Sequence, residues 1–109
     1  MSDSVSVQPH LTTLKRGGVR LAAWGGGPRA VLAMHGWGGS HLTFAPLIPH
    51  LPADVSLYAP DLPGYGASPP LGDWDRDAYL ARLVDVIDHL PHERFTLLGN
   101  CSGAILGLS

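Results

Sequence analysis

Short apolar runs alternate with segments rich in glycine and proline along most of this chain. Five of the runs have the length and composition of β-strands, at residues 11–14, 19–24, 30–34, 55–59 and 95–98. Residues 30–34 are continuously apolar, which is typical of a strand buried on both faces of a parallel sheet. Turn signals of Gly, Pro and Asp separate the runs. The pattern therefore predicts a sheet protein with short connections.

Two helical segments are predicted between the strands. Residues 42–51 suit only a short helix, because Pro46 and Pro49 interrupt it. The second helix begins after a possible cap at Asp75 and ends at Pro91. Its apolar positions recur at helical spacing, at Leu80, Leu83, Val84, Ile87 and Leu90. Its polar face, expected to be solvated, carries Arg82, Asp85, Asp88 and His89.

The order of strands and helices predicts a parallel α/β sheet, with its loops after the strand ends available for binding. A dinucleotide-binding domain is one alternative, because glycines at 36–39 and Asp61 follow successive strands in the right order. It fits poorly, since His41 occupies the third glycine position of that motif. Prolines also interrupt the helix that would bind the phosphates.

Composition limits the function classes. With 109 residues, 45% hydrophobic and 15% charged, the chain suits one globular domain or part of one. A net charge of −2 provides no basic surface for nucleic acid or an anionic membrane, so a small-molecule ligand is expected. No apolar run approaches the length of a membrane span, and the N-terminus lacks the features of a signal peptide. The single cysteine cannot form an internal disulfide, which suits a reducing compartment. The expected location is therefore cytoplasmic. No cofactor or metal is implied.

Three segments that follow predicted strands carry the candidate chemistry. They are residues 35–40 (HGWGGS), 61–68 (DLPGYGAS) and 99–103 (GNCSG). In the third segment Gly99 and Gly103 flank Cys101 at two residues on either side, directly after an apolar strand. Small residues at these positions let strand and helix pass closely while the central side chain stands exposed. This spacing predicts a nucleophile elbow with Cys101 at its tip.

In order and spacing, the three segments together resemble the N-terminal half of the α/β-hydrolase family. The first two are most similar to small carboxylesterases of the type that cleaves pimeloyl carrier-protein methyl ester. The resemblance implies a parallel-sheet, three-layer α/β-hydrolase fold truncated after the elbow. Residues 1–109 would be the N-terminal portion of a single domain, with the C-terminal half absent. In the family an acid and a histidine follow the nucleophile.

The resemblance also implies a role for each matching residue. Cys101 would be the nucleophile of acyl transfer on an ester or thioester, through a covalent acyl intermediate. The backbone N–H groups of Trp37 and Ser102 would form the oxyanion hole. The residues that would shape the loops are His35, Gly36, Asp61, Gly99 and Gly103. Cys101 stands where Ser is commoner in the family, and this difference favours thioester or acyl-transfer chemistry. Haloalkane and epoxide hydrolases carry Asp at this position instead.

Other interpretations stay open beside this one. Ser102 could be the nucleophile, although Asn100 would then occupy a position that favours a small residue. His89, His92 and Glu93 hint at a metal site but lack a third well-spaced ligand. Aromatic residues that could line an acyl pocket or belong to the core are Trp37, Phe44 and Tyr65. The chain could also be a catalytically incomplete fragment that associates with itself through the edge of strand 95–98.

Residues 1–109 alone should hydrolyse p-nitrophenyl butyrate no faster than their Cys101→Ala variant. All six histidines precede Cys101, so no base follows it, and a thiol without a positioned base is mostly protonated at neutral pH. The rate of nitrophenolate release, followed by its absorbance, measures the difference. Turnover well above that of the alanine variant would contradict the prediction.

Overall fold

A computed structural model describes residues 8–15, 18–36, 39–64, 66, 68 and 76–99. In chain order these residues form β1 (His10–Thr13), β2 (Arg20–Gly25), β3 (Arg29–Met34), a 3₁₀ helix (His41–His50), β4 (Val55–Pro60), α1 (Arg76–His89) and β5 (Phe95–Gly99). The five predicted strands are confirmed, and each boundary lies within one residue of the prediction. The possible cap at Asp75 lies outside the described residues.

The five strands form one mixed sheet in the order β1-β2-β4-β3-β5. Strands β4, β3 and β5 are parallel, as predicted. Strands β1 and β2, which precede the alternating strands and helices that predicted the parallel sheet, are antiparallel: β1 pairs with β2, and β2 pairs with β4. A short connection explains the pairing of β1 with β2. The Leu14 N–H donates to the Val19 carbonyl across the turn (2.8 Å), and such a tight turn can join only antiparallel neighbours.

Both faces of the sheet are covered, so the fold has three layers. Side chains alternate between the faces along each strand, with Leu32 on one side and Ala33 on the other. The core between the sheet and α1 contains Leu14, Val19, Leu21, Leu32, Met34, Leu62, Leu83, Val86 and Leu90. The core between the sheet and the 3₁₀ helix contains Ala22, Trp24, Ala33, Phe44, Ile48, Leu57 and Ala59.

The 3₁₀ helix begins at a capping box. The Ser40 hydroxyl accepts a hydrogen bond from the Leu42 N–H (3.1 Å), and the Thr43 hydroxyl accepts one from the Ser40 N–H (3.2 Å). Pro46 and Pro49 lie inside the helix, where their missing N–H groups prevent regular α-helical bonding. The short, proline-interrupted helix predicted from the sequence is therefore confirmed. Phe44, considered for an acyl pocket, is buried in the core instead.

The buried face of α1 differs from the predicted one. Val86 is 1% exposed, whereas Val84 is 53% and Ile87 39% exposed. Leu83, Val86 and Leu90 follow i, i+3, i+7 spacing and face the sheet, and this rotation turns Val84 and Ile87 outward. The same rotation covers the expected polar face at Asp85, whose side chain is 11% exposed and lies 3.1 Å from the Arg82 guanidinium.

Strand β5 lies at one edge of the described sheet and pairs with β3. Leu97 and Leu98, on opposite faces of β5, are each 38% exposed. Self-association through this edge stays a prediction. Within the described ranges, no helix combines the length and apolar character needed to cross a bilayer.

Val86→Ala should lower the free energy of unfolding of the 109-residue chain by about 2 kcal/mol, because it removes two buried methyl groups and leaves a cavity. Val84→Ala is the matched control on the same helix. Its exposed side chain should change the same quantity by less than about 0.5 kcal/mol. Urea unfolding followed by circular dichroism measures both. Equal losses for the two variants would show that the assigned buried face of α1 is wrong.

Candidate functional site

Three chain segments leave the parallel strands at one edge of the sheet. Met34, the last residue of β3, lies opposite Gly99, the last residue of β5. On its other side β3 pairs in parallel with β4, with Leu32 opposite Tyr58. The segments that begin at His35, Asp61 and Asn100 in the sequence therefore follow neighbouring strand ends. Carboxyl ends of parallel strands are where α/β proteins bind ligands.

The described structure contains four of the predicted site residues: His35, Gly36, Asp61 and Gly99. His35 and Asp61 are fully buried, and Gly99 ends β5 with an exposed backbone. The remaining four lie outside the described residues. They are Trp37, Cys101, Ser102 and Gly103.

His35 links the loop after β3 to the loop after β4. Its Nδ1 lies 2.8 Å from the carbonyl oxygen of Gly36, and its Nε2 accepts a hydrogen bond from the Leu62 N–H at 2.9 Å. A carbonyl can only accept and a backbone N–H can only donate, so these partners require the proton on Nδ1 and a lone pair on Nε2. The imidazole thus has one tautomer fixed by its two neighbours. Its ring nitrogens are both used in structural bonds, not directed at a ligand.

Asp61 makes the second link between the same loops. Its side chain is fully buried, and its Oδ1 accepts hydrogen bonds from the backbone N–H of His41 (2.6 Å) and from the His41 ring Nδ1 (2.8 Å). The His41 ring also lies near the Trp24 indole, with centroids 6.1 Å apart. Buried carboxylates need donors of this kind, because burial without them is costly. The start of the 3₁₀ helix is therefore anchored to the end of β4.

The loop after β4 closes over the Asp61 side chain. Gly66 has φ +53°, and a Cβ placed there would lie 2.4 Å from both Cγ and Oδ2 of Asp61. Ser68 completes the closure: its hydroxyl donates to the Asp61 carbonyl (2.5 Å) and accepts from the Arg20 N–H (2.8 Å). The loop thereby extends the pairing between β2 and β4 past the strand end. Only glycine fits at position 66.

A tight turn follows β3. The Gly39 N–H donates to the Gly36 carbonyl at 3.1 Å, so the two glycines that border Trp37 and Gly38 are held together. A Cβ on Gly39 would lie 2.6 Å from the Thr43 hydroxyl oxygen and 3.0 Å from the His35 Cβ. This turn is thus packed between the buried histidine and the start of the 3₁₀ helix. It leaves no room for a side chain at position 39.

Three residues that these loops depend on are not predicted by the sequence pattern: His41, Gly66 and Ser68. In the sequence His41 is only a mismatch to a dinucleotide motif, and nothing pairs it with a carboxylate twenty positions away. Gly66 and Ser68 belong to the segment 61–68 that was singled out. Their spacing from Asp61 is the signal that could have identified them, since a glycine and a hydroxyl near an acid at a strand end are typical of a closed loop.

Other candidate features lie away from the carboxyl ends of the parallel strands. The His92 Nε2 forms a hydrogen bond with the Tyr58 hydroxyl (2.9 Å). The described residues contain no group of three or more side chains that could hold a metal ion. A groove of about 530 Å³ lies between β1 and α1, lined by Thr12, Thr13, Leu14, Lys15, Asp85, Asp88 and His89. Strands β1 and β5 are the two outermost strands of the described sheet, on opposite sides of it. We therefore place the candidate site at the strand ends, where the loop chemistry converges, and not in this groove.

A mixed sheet covered on both faces, with glycine-rich loops at the carboxyl ends of its parallel strands, defines an α/β protein, a class that binds ligands at those strand ends. A family model described as alpha/beta hydrolase fold matches residues 29–109. The chain belongs to the α/β-hydrolase fold family. The resemblance inferred from the three segments is confirmed, and the dinucleotide-binding alternative loses its support.

Two curated relatives illustrate the similarity. A Drosophila melanogaster protein named "Probable serine hydrolase" is 37% identical over an alignment of 98 residues that covers 83% of this chain and 29% of the relative. Pimeloyl-[acyl-carrier protein] methyl ester esterase of Legionella pneumophila (strain Corby) is 32% identical over 87 residues, or 80% of this chain and 33% of the relative. The chain thus spans about a third of the length of these relatives.

Solved structures match the fold closely. The thioesterase domain from the curacin biosynthetic pathway has a TM-score of 0.80 and 30% identity, over 90% of this chain and 39% of that one. An epoxide hydrolase mutant from Vigna radiata has a TM-score of 0.79 at 22% identity, over 98% and 34% of the respective chains. The second similarity concerns the fold alone. Both structures extend well beyond the part that this chain matches.

Gly66→Ala should lower the free energy of unfolding by about 2–4 kcal/mol, because it combines a left-handed backbone with a clash against the buried Asp61 carboxylate. Gly26→Ala is the matched control. No atom lies within 4 Å of a Cβ at that position, so a change below about 0.5 kcal/mol is expected. Urea unfolding of both variants measures the difference, and a neutral Gly66→Ala would contradict the described loop closure.

Proposed function

We propose that the protein containing this chain transfers acyl groups from a carboxylic ester or thioester, through a covalent acyl intermediate at Cys101. One observation carries the proposal. The parallel register that places Met34 opposite Gly99 brings the loop beginning at His35 beside the strand end from which the chain continues toward Cys101. A nucleophile and an oxyanion loop must be adjacent in this way for acyl transfer.

In the proposed reaction, the Cys101 thiolate attacks the carbonyl carbon of the substrate and forms a C–S bond, while the carbonyl π electrons move to oxygen. Backbone N–H groups of Trp37 and Ser102 would stabilise the negative oxygen. When the tetrahedral intermediate collapses, the bond to the alkoxide or thiolate leaving group breaks, and a general acid protonates that group. Water or an acceptor nucleophile then attacks the Cys101 thioester, loses a proton to the base and releases the free thiol.

The described loops support the part of this proposal that concerns the oxyanion donor. The hydrogen bond from Gly39 to Gly36 and the bonds of His35 hold the ends of the turn that contains Trp37. A donor built on a rigid turn stabilises a transition state better than a mobile one, because it needs no reorganisation during the reaction. His35 and Asp61 would be positioning residues for this turn, not catalytic ones.

The substrate class rests on the relatives and on the nucleophile. Among the similar proteins, one is named as an esterase of a carrier-protein methyl ester and another as a thioesterase domain. Cysteine at the tip of the elbow favours thioester chemistry and acyl transfer, since the thiolate is strongly nucleophilic and forms a thioester itself. The acid and the histidine base would be supplied outside residues 1–109. A cytoplasmic location stays a prediction from the sequence.

The test uses the full-length protein that contains this chain, incubated with an S-acyl thioester and, separately, with p-nitrophenyl butyrate. Cys101 should gain the mass of the acyl group, detected on its peptide by mass spectrometry, and should react with iodoacetamide faster than a free thiol. Cys101→Ser should keep some acyl transfer because the loop geometry is unchanged, whereas Cys101→Ala should lose it by a factor of roughly 10³ or more.

Ser102→Ala is the matched control, because the proposed contribution of Ser102 is its backbone N–H and not its hydroxyl. Its activity should stay within about threefold of the unsubstituted protein. An acyl adduct on Ser102, or full activity in Cys101→Ala, would overturn the assignment of the nucleophile. A full-length protein without any acyl transfer would instead favour a catalytically incomplete member of the family.

A further inference from the structure

His41 holds an unusual position in the described structure, because it binds one carboxylate oxygen with both its main chain and its side chain. Its backbone N–H and its ring Nδ1 lie 2.6 and 2.8 Å from the same Oδ1 of Asp61. The imidazole is only 13% exposed and the carboxylate is fully buried. Solvent therefore does not replace either bond easily, and the loss of the ring's bond removes a donor from a buried carboxylate.

The location of this pair matters for the turn after β3. His41 directly follows Ser40, and the turn between Gly36 and Gly39 ends one residue before that serine. At the other end of the turn, His35 is fixed by Leu62, the residue after Asp61. His35 and His41, which flank the five residues 36–40, are thus bonded to the two consecutive residues that follow β4. These attachments restrain both ends of the segment.

We propose that His41 is a positioning residue: its ring Nδ1–H on the buried Asp61 carboxylate fixes the C-terminal end of the turn that carries the oxyanion donor. This inference rests on the proposed function, in which Trp37 supplies that donor. His41 contacts no reacting atom in the proposal. It acts by restricting the backbone of residues 36–40, so its contribution is to the transition state more than to substrate binding.

Two substitutions at His41 separate the effect of its hydrogen-bond donor from the effect of its ring packing. His41→Phe keeps a flat ring against Trp24 and removes the hydrogen bond to Asp61. His41→Asn loses the ring but places an amide N–H close to the position of Nδ1. If the hydrogen bond positions the turn, the Phe variant should be impaired and the Asn variant should recover most of the loss. His50→Phe is the matched control, since His50 is an exposed histidine at the far end of the same 3₁₀ helix.

In the full-length protein, His41→Phe should lower kcat for thioester turnover roughly tenfold with KM changed less than about twofold. His41→Asn should retain at least about half of the original kcat, and His50→Phe should match the unsubstituted protein. Equal impairment of the Phe and Asn variants would show that the ring's packing matters and not its donor, and would overturn the proposal. So would an unimpaired His41→Phe in a protein that Cys101→Ala inactivates.

A second measurement does not depend on activity. Amide hydrogen exchange of residues 36–40 should be faster in His41→Phe than in His41→Asn or His50→Phe, while exchange in β3 and β4 stays unchanged. If the protein proves inactive, the proposed function fails, and this comparison alone decides whether His41 fixes the turn. Unchanged exchange of residues 36–40 in His41→Phe would overturn the inference in either case.

Discussion

The arrangement of the strand-end loops depends on the burial of one carboxylate, that of Asp61. Burying such a group costs several kcal/mol unless hydrogen-bond donors surround it. Two of its donors come from His41, which begins the 3₁₀ helix, and the close approach of Gly66 comes from the loop after β4. The start of the 3₁₀ helix and the loop after β4 therefore meet around Asp61. A polar group that is costly to bury thus determines how the apolar layers meet at this edge.

The neighbouring His35 further restricts how the loops after β3 and β4 lie against each other. His35 uses both ring nitrogens on backbone groups of two different loops, which leaves it one tautomer and no free nitrogen for chemistry. A conspicuous histidine beside a glycine-rich loop is easily mistaken for a catalytic base. Its two hydrogen bonds instead join the loop after β3 to the loop after β4. Its role is therefore to position these loops, and the reacting groups must be other residues.

The sequence predicted the elements well because their signals are local. Continuous apolar runs identify the strands within one residue, and Pro46 and Pro49 reveal a short irregular helix. Signals that depend on tertiary contacts were missed. Val84 and Val86 differ in burial because α1 rotates against the sheet, and the hydrogen bond between His41 and Asp61 joins residues far apart in the chain. The antiparallel pairing of β1 with β2 follows from the tight turn between them, whereas that of β2 with β4 joins strands that are not consecutive in the chain.

The strand order has a consequence for synthesis on the ribosome. Strand β3 lies between β4 and β5, and β5 begins some sixty residues after β3 ends. At translation rates of roughly 5–20 residues per second, one edge of β3 stays unpaired in the nascent chain for several seconds after it emerges. The backbone groups along this edge of β3 lack their β5 partners during this interval. Strand β3, whose last three residues are buried in the folded chain, is therefore the described strand that a growing chain must protect longest from wrong partners.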